Sequence, residues 1–234
     1  MAFELDSVVP WGRNLDEYRQ MFLLSDSDLK KRIAGFGDGP ACFNAEATRL
    51  GMNVTSYDPI YQFKKEQLEK RIKEVRDIVM KQMAENRDSY VWNRIKNLEE
   101  LEKIRMDAMS VFLEDYEDGK TEGRYICHEL PNRISCADST YDIGLSSHFL
   151  LMYTSLGYEF HIAAIDEMLR VSKEVRIFPI VDLDANESEM ISDVIRHYEN
   201  NYDVKILETD YEFQKNARKL LIIKNPGTNV PGCA

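Results

Sequence analysis

Cysteine and long apolar runs are both scarce in these 234 residues. None of the cysteines forms a C-x-x-C pair, the usual spacing of paired zinc ligands; they are Cys42, Cys127, Cys136 and Cys233. No stretch approaches the roughly 18 apolar residues of a membrane span. The opening MAFELDSVVPWGR lacks the layout of a signal peptide. These absences predict a cytoplasmic protein with reduced thiols, no metal site and no membrane segment.

Positive charge is also in short supply. There are 30 Lys and Arg against 41 Asp and Glu, which gives a net charge of −11. A general nucleic-acid binder needs a basic surface, and so does a protein that lies on an anionic membrane, so neither partner is expected. Hydrophobic residues make up 44% of the chain. That share and the length suit one α/β domain with an insertion.

The stretch 33–61 is the unit around which the chain is organised. Its parts are, in order, a buried strand after Arg32, a loop with Gly35, Gly37 and Gly39, a helix over 41–50, a strand over 53–57, and Asp58. Glycines let a ligand approach the bare backbone, and the start of the next helix presents free N–H groups. An acid at the tip of the second strand can accept hydrogen bonds from both hydroxyls of a ribose.

The spacing within this unit favours a nucleotide site. Asp58 follows Gly39 by 19 residues, close to the separation of about 20 typical of a ribose-binding acid. The alternative is a glycine turn such as any α/β protein can contain. A dinucleotide fingerprint, G-x-G-x-x-G, does not fit, because its third position would be Pro40 or Cys42.

The glycine run instead resembles the first motif of class I methyltransferases that use S-adenosylmethionine, commonly D/E-x-G-x-G-x-G. Gly35 stands in place of the acid and Ala41 in place of the last glycine, while the central pair Gly37 and Gly39 is kept. The first departure falls on the residue that contacts the amino group of the methionine part.

A second stretch, 134–149, is similar to the pattern L-P-F-x-D-x-S-F-D-x-x-x-x-S of the same family. By this match Tyr141 and Asp142 begin the fourth strand, and residues 146–149 lie at its carboxyl end. The likeness spans about 30–225 and is to an uncharacterised bacterial group of these enzymes. It implies a mostly parallel, doubly wound sheet of seven strands that ends in a hairpin-like pair.

Four segments are expected on this basis: an N-terminal helical cover over 1–32, the cofactor-binding domain over 33–225, a helical insert over 60–122 after the second strand, and a loose tail over 226–234. One insert helix shows an apolar stripe at Leu68, Ile72, Val75, Val79 and Met83. The other, from residue 98, would bury Leu101, Ile104, Ala108, Val111 and Phe112. The insert could be a lid on the acceptor pocket or the surface of a homodimer. Further strands are predicted over 124–130 and 175–181.

The resemblance also implies which residues hold the cofactor and its product, S-adenosylhomocysteine. In the cover, Arg13 would pair with the methionine carboxylate, and Tyr18 and Met21 would cover the sulfonium. Glu129 and Leu130 would lie near the adenine. The remaining candidates are Gly35, Phe36, Gly37, Asp38, Gly39, Asp58, Pro59, Ser146 and Ser147.

Methyl transfer from a sulfonium needs alignment and exclusion of water, and a nitrogen or oxygen acceptor can also need a base. His148 is the best-placed candidate for that role, with Tyr153 shortly after it. Three hypotheses stay open: methyl transfer to an N, O or S atom of a small molecule, transfer of the aminocarboxypropyl arm of the same cofactor, and a non-catalytic interaction protein with a degenerate nucleotide site.

Overall fold

The computed structural model describes residues 11–226. Seven strands form one sheet: β1 (Arg32–Phe36), β2 (Asn53–Tyr57), β3 (Tyr125–Ile126), β4 (Tyr141–Ser147), β5 (Ser172–Phe178), β6 (Asp203–Glu208) and β7 (Lys219–Lys224). Their order is β3-β2-β1-β4-β5-β7-β6, and only β7 runs against its neighbours. This order and this single reversal define the class I methyltransferase fold, as predicted.

Six α-helices accompany the sheet in the described part of the chain: α1 (Leu15–Met21), α2 (Phe43–Arg49), α3 (Lys65–Glu85), α4 (Leu98–Thr121), α5 (Tyr158–Val171) and α6 (Glu189–Glu199). Side chains alternate across a strand, so β1 contributes Ile33 to one apolar cluster and Phe36 to another. The first cluster joins the sheet to α1, α2 and the insert, and the second joins it to α5 and α6. Between residues 11 and 226, no helix combines the length and apolarity needed to cross a bilayer.

The strand β1 is central because it is buried from Ile33 onward and pairs in parallel with β2 on one side and β4 on the other. The carboxyl ends of these three strands therefore meet at one edge of the sheet. Strand order also reverses between β1 and β4, which is the place where open α/β sheets bind ligands. The loop from Gly37 to Gly39, Asp58 and His148 all follow directly after these strands, whereas Gly35, predicted to belong to the loop, lies within β1.

The insert consists of α3 and α4, and it lies between β2 and β3 as predicted. All five residues of the predicted stripe on α3 are buried. The prediction for α4 was partly wrong. Its buried face contains Leu101, Ala108 and Phe112, but Arg105 lies there fully buried, whereas Ile104 and Val111 are only partly buried. A charged side chain can occupy that face because it is paired, as described below.

Two strand boundaries differ from the sequence-based expectation. β3 contains two residues, not the seven over 124–130, because this edge strand pairs only with β2, and β2 ends at Tyr57. β5 begins at Ser172, three residues before the predicted start, and ends before Pro179. Its polar opening, Ser172 to Glu174, hid the start of the strand. The predicted tail lies outside the described residues apart from Pro226, and so do the first ten residues of the predicted cover.

Candidate functional site

A cavity opens at the carboxyl edge of the sheet, and elements from the whole chain line it. Its floor is formed by the glycine loop, by Asp58 and by Ser147 and His148. The N-terminal segment and α1 cover one side. The insert and the connection between β6 and β7 form the far wall, with Val79, Met83, Tyr90, Arg105, Phe213 and Gln214. The cavity therefore has two ends, which we call the loop end and the insert end.

The glycine loop leaves the sheet with its backbone exposed to the cavity. Gly37 donates a hydrogen bond of 2.9 Å to the carbonyl of Tyr57, which holds the loop beside β2. Gly37 has φ of 73°, in the left-handed region that favours glycine. A Cβ there would lie 2.8 Å from the ring of Phe149. A side chain at this position would thus both strain the backbone and collide with the residue after His148.

Asp58 extends from the tip of β2 across to this loop. One carboxylate oxygen accepts the N–H of Gly39 at 2.8 Å, and the other accepts the N–H of Ile60 at 2.9 Å. Burial raises the pKa of this carboxyl to about 6, against the opposing effect of the two backbone hydrogen bonds. Each oxygen keeps a second lone pair, so the carboxylate can accept further hydrogen bonds from a ligand.

Asp38 occupies the space that a side chain at position 35 would need. A Cβ on Gly35 would lie only 1.8 Å from Oδ2 of Asp38. The same carboxylate accepts hydrogen bonds from the hydroxyls of Ser56, at 2.6 Å, and Tyr18, at 2.8 Å. Burial raises its pKa to about 6. The class I methyltransferase motif has its acid at the position of Gly35. In this chain the carboxylate of Asp38, three residues later, lies in the space beside that position.

The N-terminal segment is fixed over the loop end by specific contacts. The ring of Tyr18 stacks on Phe43 of α2, with centroids 4.2 Å apart and planes 7° apart, and its hydroxyl holds Asp38. The carbonyl of Arg13 accepts the N–H of Cys42 at 3.0 Å. Trp11, Arg13 and Tyr18 all line the cavity. The cover thus reaches the loop directly.

His148 lies immediately after β4, with a left-handed backbone at φ of 55°. Its N–H donates to the carbonyl of Phe178 at 2.7 Å, and its Nδ1 is 2.9 Å from the hydroxyl of Ser147. Burial, followed by the positive charges of Arg13 and Arg105, holds the pKa of the imidazole well below its usual range. The ring is therefore neutral at pH 7 and keeps a nitrogen lone pair.

Several predicted site residues lie away from the cavity lining. Phe36 and Leu130 belong to the apolar cluster that joins the sheet to α5 and α6. Ser146 is buried and does not line the cavity, although the next residue, Ser147, does. Met21 lies behind the floor, with its sulfur 3.9 Å from the Ser147 hydroxyl. The side chains of Pro59 and Glu129 are exposed. Tyr153 does line the cavity.

Sequence reasoning missed a buried charged network at the insert end. Arg105 of α4 donates two hydrogen bonds, of 2.6 and 2.7 Å, to Glu17 of α1. The hydroxyl of Tyr211 donates to the same carboxylate at 2.8 Å. The one signal was an arginine on the apolar face of a predicted helix. In residues 11–226, no group of three or more His, Cys, Asp or Glu side chains is placed to hold a metal ion.

No protein-family model matches this sequence. The chain is 36% identical over 222 residues to the uncharacterized protein MJ0045 of Methanocaldococcus jannaschii, and the match covers 94% of this chain and 97% of that protein. The chain belongs to the MJ0045 family. This relative is archaeal, whereas the sequence motifs suggested a bacterial group, and its name assigns no activity to the family.

Solved structures with similar folds are much more distant. Magnesium protoporphyrin IX methyltransferase from Synechocystis, with bound S-adenosylmethionine, is 11% identical; the alignment covers 90% of this chain and 77% of that one, with a TM-score of 0.45. A methyltransferase from Aquifex aeolicus that depends on the same cofactor is 10% identical. The alignment covers 90% of this chain and 88% of that one, with a TM-score of 0.41. The fold assignment for the MJ0045 family member described here stands on its own strand order, and fold does not fix function.

Proposed function

We propose that this protein is an S-adenosylmethionine-dependent methyltransferase that acts on a small molecule. The observation that carries the proposal is the arrangement of two buried acids on the glycine loop. Asp58 bridges from β2 to Gly39, and Asp38 fills the space above Gly35. Both line one cavity at the point where strand order reverses.

The chemistry of the loop end matches the groups of this cofactor. The carboxylate of Asp58 suits the two hydroxyls of the ribose, and that of Asp38 suits the amino group of the methionine part. The bare backbone at Gly37 and Gly39 permits close approach of the chain that links them. When bound, S-adenosylmethionine supplies a methyl group already activated by its sulfonium.

The protein's own part in the reaction is to orient the acceptor, exclude water and receive a proton where one is released. Tyr18 and Trp11 close the cavity from the N-terminal side, and the insert closes it from the other. His148 is neutral and lines the cavity, so it can accept a proton from an acceptor N–H or O–H. Its lowered pKa limits it to acceptors that release the proton readily.

Transfer of the aminocarboxypropyl arm was kept open by the missing acid at position 35. Asp38 now supplies an acid in that space, so the loop no longer departs from the methyltransferase pattern in its chemistry. We therefore favour methyl transfer. The mass added to the product separates the two reactions directly.

Calorimetric titration with S-adenosylmethionine and S-adenosylhomocysteine tests the cofactor assignment. We expect micromolar binding by the wild-type protein and loss of at least tenfold in affinity in Asp58→Ala, because a buried carboxylate that accepts ligand hydrogen bonds contributes roughly 1.5–3 kcal/mol. Asp193→Ala on α6 is the matched control, since that carboxylate is partly exposed, lies outside the cavity lining and pairs with Arg196 on the same helix. It should bind as the wild type does.

Absence of binding by the wild-type protein would contradict the proposal and favour the non-catalytic hypothesis. If binding is found, trideuteromethyl S-adenosylmethionine and a pool of small metabolites identify the acceptor by mass spectrometry. A product that carries the labelled methyl supports methyl transfer. A product that carries the unlabelled aminocarboxypropyl group supports the other reaction.

A further inference from the structure

The insert end of the cavity is apolar and aromatic over most of its wall. The rings of Tyr90 and Phe213 stack with centroids 5.0 Å apart and planes 24° apart. The two segments are joined by the hydrogen bond from the N–H of Val91 to the carbonyl of Phe213, at 2.7 Å. Val79 and Met83 of α3 complete this part of the wall. Such a surface suits a flat apolar molecule.

Two guanidinium groups lie in the same part of the cavity. Arg105 is fully buried, and Glu17 neutralises it through two hydrogen bonds. That carboxylate also accepts hydrogen bonds from Tyr211 and from the N–H of Asn14. Burial alone would raise the pKa of Glu17, but Arg105, then the charge of Arg13 and the hydroxyl of Tyr211, lower it to about 2. Glu17 is thus fully used within the protein.

Arg13 has no comparable partner in the described part of the chain. Its Nη1 lies 3.5 Å from the carbonyl of Trp11, and its Nε is buried without a hydrogen-bond acceptor. Burial, then the charge of Arg105, lowers its pKa. Residues 11–226 therefore supply one carboxylate, Glu17, for two cations, of which Arg105 is fully buried and Arg13 half-buried, and Arg13 is left without an anion in hydrogen-bond contact.

Further unpaired donors belong to residues that line the same cavity. Nε of Arg105 and Nε1 of Trp11 are buried without an acceptor in residues 11–226. His148, which also lines the cavity, is neutral and adds no negative charge. Buried donors without acceptors are costly, and a buried guanidinium without a counter-ion is more so. An anionic group of a ligand in this cavity can accept hydrogen bonds from such donors.

We propose that the insert end binds the anionic group of the methyl acceptor, and that the acceptor is a small, flat, apolar molecule that carries a carboxylate. This inference rests on the proposed function. The side chain of Arg13 interacts electrostatically with Arg105, Tyr211 and Glu17, which belong to the insert end and its supports, and also with Tyr18, which holds Asp38 at the loop end. The cofactor's own carboxylate, which the sequence motifs assign to Arg13, is the other source of the same chemistry.

Titrations of the protein saturated with S-adenosylhomocysteine test the proposal, with 2-naphthoate, 2-naphthamide and 2-naphthylmethylamine as probes. The acid should bind at least tenfold more tightly than the amide, and the amine should not bind. Arg13→Gln should weaken the binding of 2-naphthoate roughly tenfold or more, because the substitution removes a charge-assisted hydrogen bond. The affinity for 2-naphthamide should stay unchanged. Arg13→Lys should recover part of the loss.

Arg196→Gln is the matched control, because this arginine is exposed on α6. It should bind all probes as the wild type does. Thermal unfolding of Arg13→Gln shows that the variant is folded. Equal binding of the acid and the amide by the wild-type protein, or no binding of the acid, would overturn the proposal.

A second pair of ligands separates the two sources of the carboxylate. S-adenosylhomocysteine carries an amino-acid carboxylate, and 5′-methylthioadenosine does not. If Arg13→Gln weakens the binding of S-adenosylhomocysteine but not of 5′-methylthioadenosine, Arg13 serves the cofactor and the acceptor proposal is wrong. If the variant binds both ligands as the wild type does, the acceptor proposal is supported. Failure of the proposed function would appear differently, as absence of S-adenosylhomocysteine binding by the wild type while 2-naphthoate still binds in an Arg13-dependent way.

Discussion

The two ends of the cavity are built and charged in opposite ways. The loop end carries two acids, Asp38 and Asp58, and the donors that residues 11–226 supply to them are neutral hydroxyl and backbone groups. The insert end carries two arginines and one carboxylate, Glu17, that is already paired. The sheet determines the first end, and contacts among α1, α4 and the β6–β7 connection determine the second. Under the proposed function, the loop end would hold the cofactor and the insert end the acceptor.

The largest effect is expected from the insert end. Arg105→Gln would leave Glu17 buried without its cation, and breaking a buried ion pair costs about 3–5 kcal/mol. Urea unfolding measures this loss. The double variant Arg105→Met with Glu17→Leu should lose much less, because it removes both charges. A loss below about 1 kcal/mol in Arg105→Gln would show that the pair does not hold α4 on α1.

At the loop end, Gly35→Ala should displace Asp38, because the new Cβ would lie 1.8 Å from its carboxylate oxygen. We expect a loss of about 1–3 kcal/mol in unfolding free energy and weaker binding of S-adenosylhomocysteine. The same substitution in an Asp38→Ala background removes the collision. If Gly35→Ala costs as much there as in the wild type, Asp38 does not occupy this space.

The affinity for S-adenosylhomocysteine should depend on the two acids with raised pKa values. Under the proposed function their ionised forms bind the ligand, so protonation should weaken binding as pH falls through about 6. Between pH 7 and pH 5 the loss should be about tenfold for each carboxyl that must be ionised. Asp38→Asn should bind S-adenosylhomocysteine more weakly than the wild type at pH 7, and its affinity should depend less steeply on pH. Constant affinity over this range would argue against both roles.

In the free protein the same acids have the opposite effect on stability. Their pKa is higher when folded than when unfolded, so they bind more protons in the folded state between about pH 4 and pH 6. Their contribution to the unfolding free energy therefore increases as pH falls toward 5.

The smallest effect on stability is expected for Arg13→Gln. It removes the same charge as Arg105→Gln, but no carboxylate in residues 11–226 is left without a partner. Because the guanidinium is half-buried and has no anion in hydrogen-bond contact in residues 11–226, its loss should change the unfolding free energy by less than about 1 kcal/mol, in either direction. Urea unfolding of both variants under one set of conditions provides the comparison. Equal losses would mean that Arg13 has a structural partner.

Much of the loop end was predictable from sequence because it depends on neighbouring residues. The strand, the glycine loop, the helix and Asp58 lie within a single short stretch, and the spacing of parallel strands fixes where their ends meet. The position of Asp38 was not predictable. Its side chain folds back over Gly35, and only the loop geometry shows that an acid occupies the space beside that glycine.

The insert end could not be predicted because its contacts join distant parts of the chain. Glu17 meets Arg105 across 88 residues and Tyr211 across 194. Periodicity correctly located α3 and α4, but it favoured Ile104 for the core of the second helix. A buried arginine is stable only with a partner, and the sequence did not show that Glu17 would be that partner.

The crystal structure of the protein with S-adenosylhomocysteine tests the central claim most directly. We predict that the ligand lies over the glycine loop, with both ribose hydroxyls within hydrogen-bond distance of the Asp58 carboxylate and the amino group at Asp38. A ligand bound elsewhere, or one whose ribose lies away from Asp58, would contradict the account.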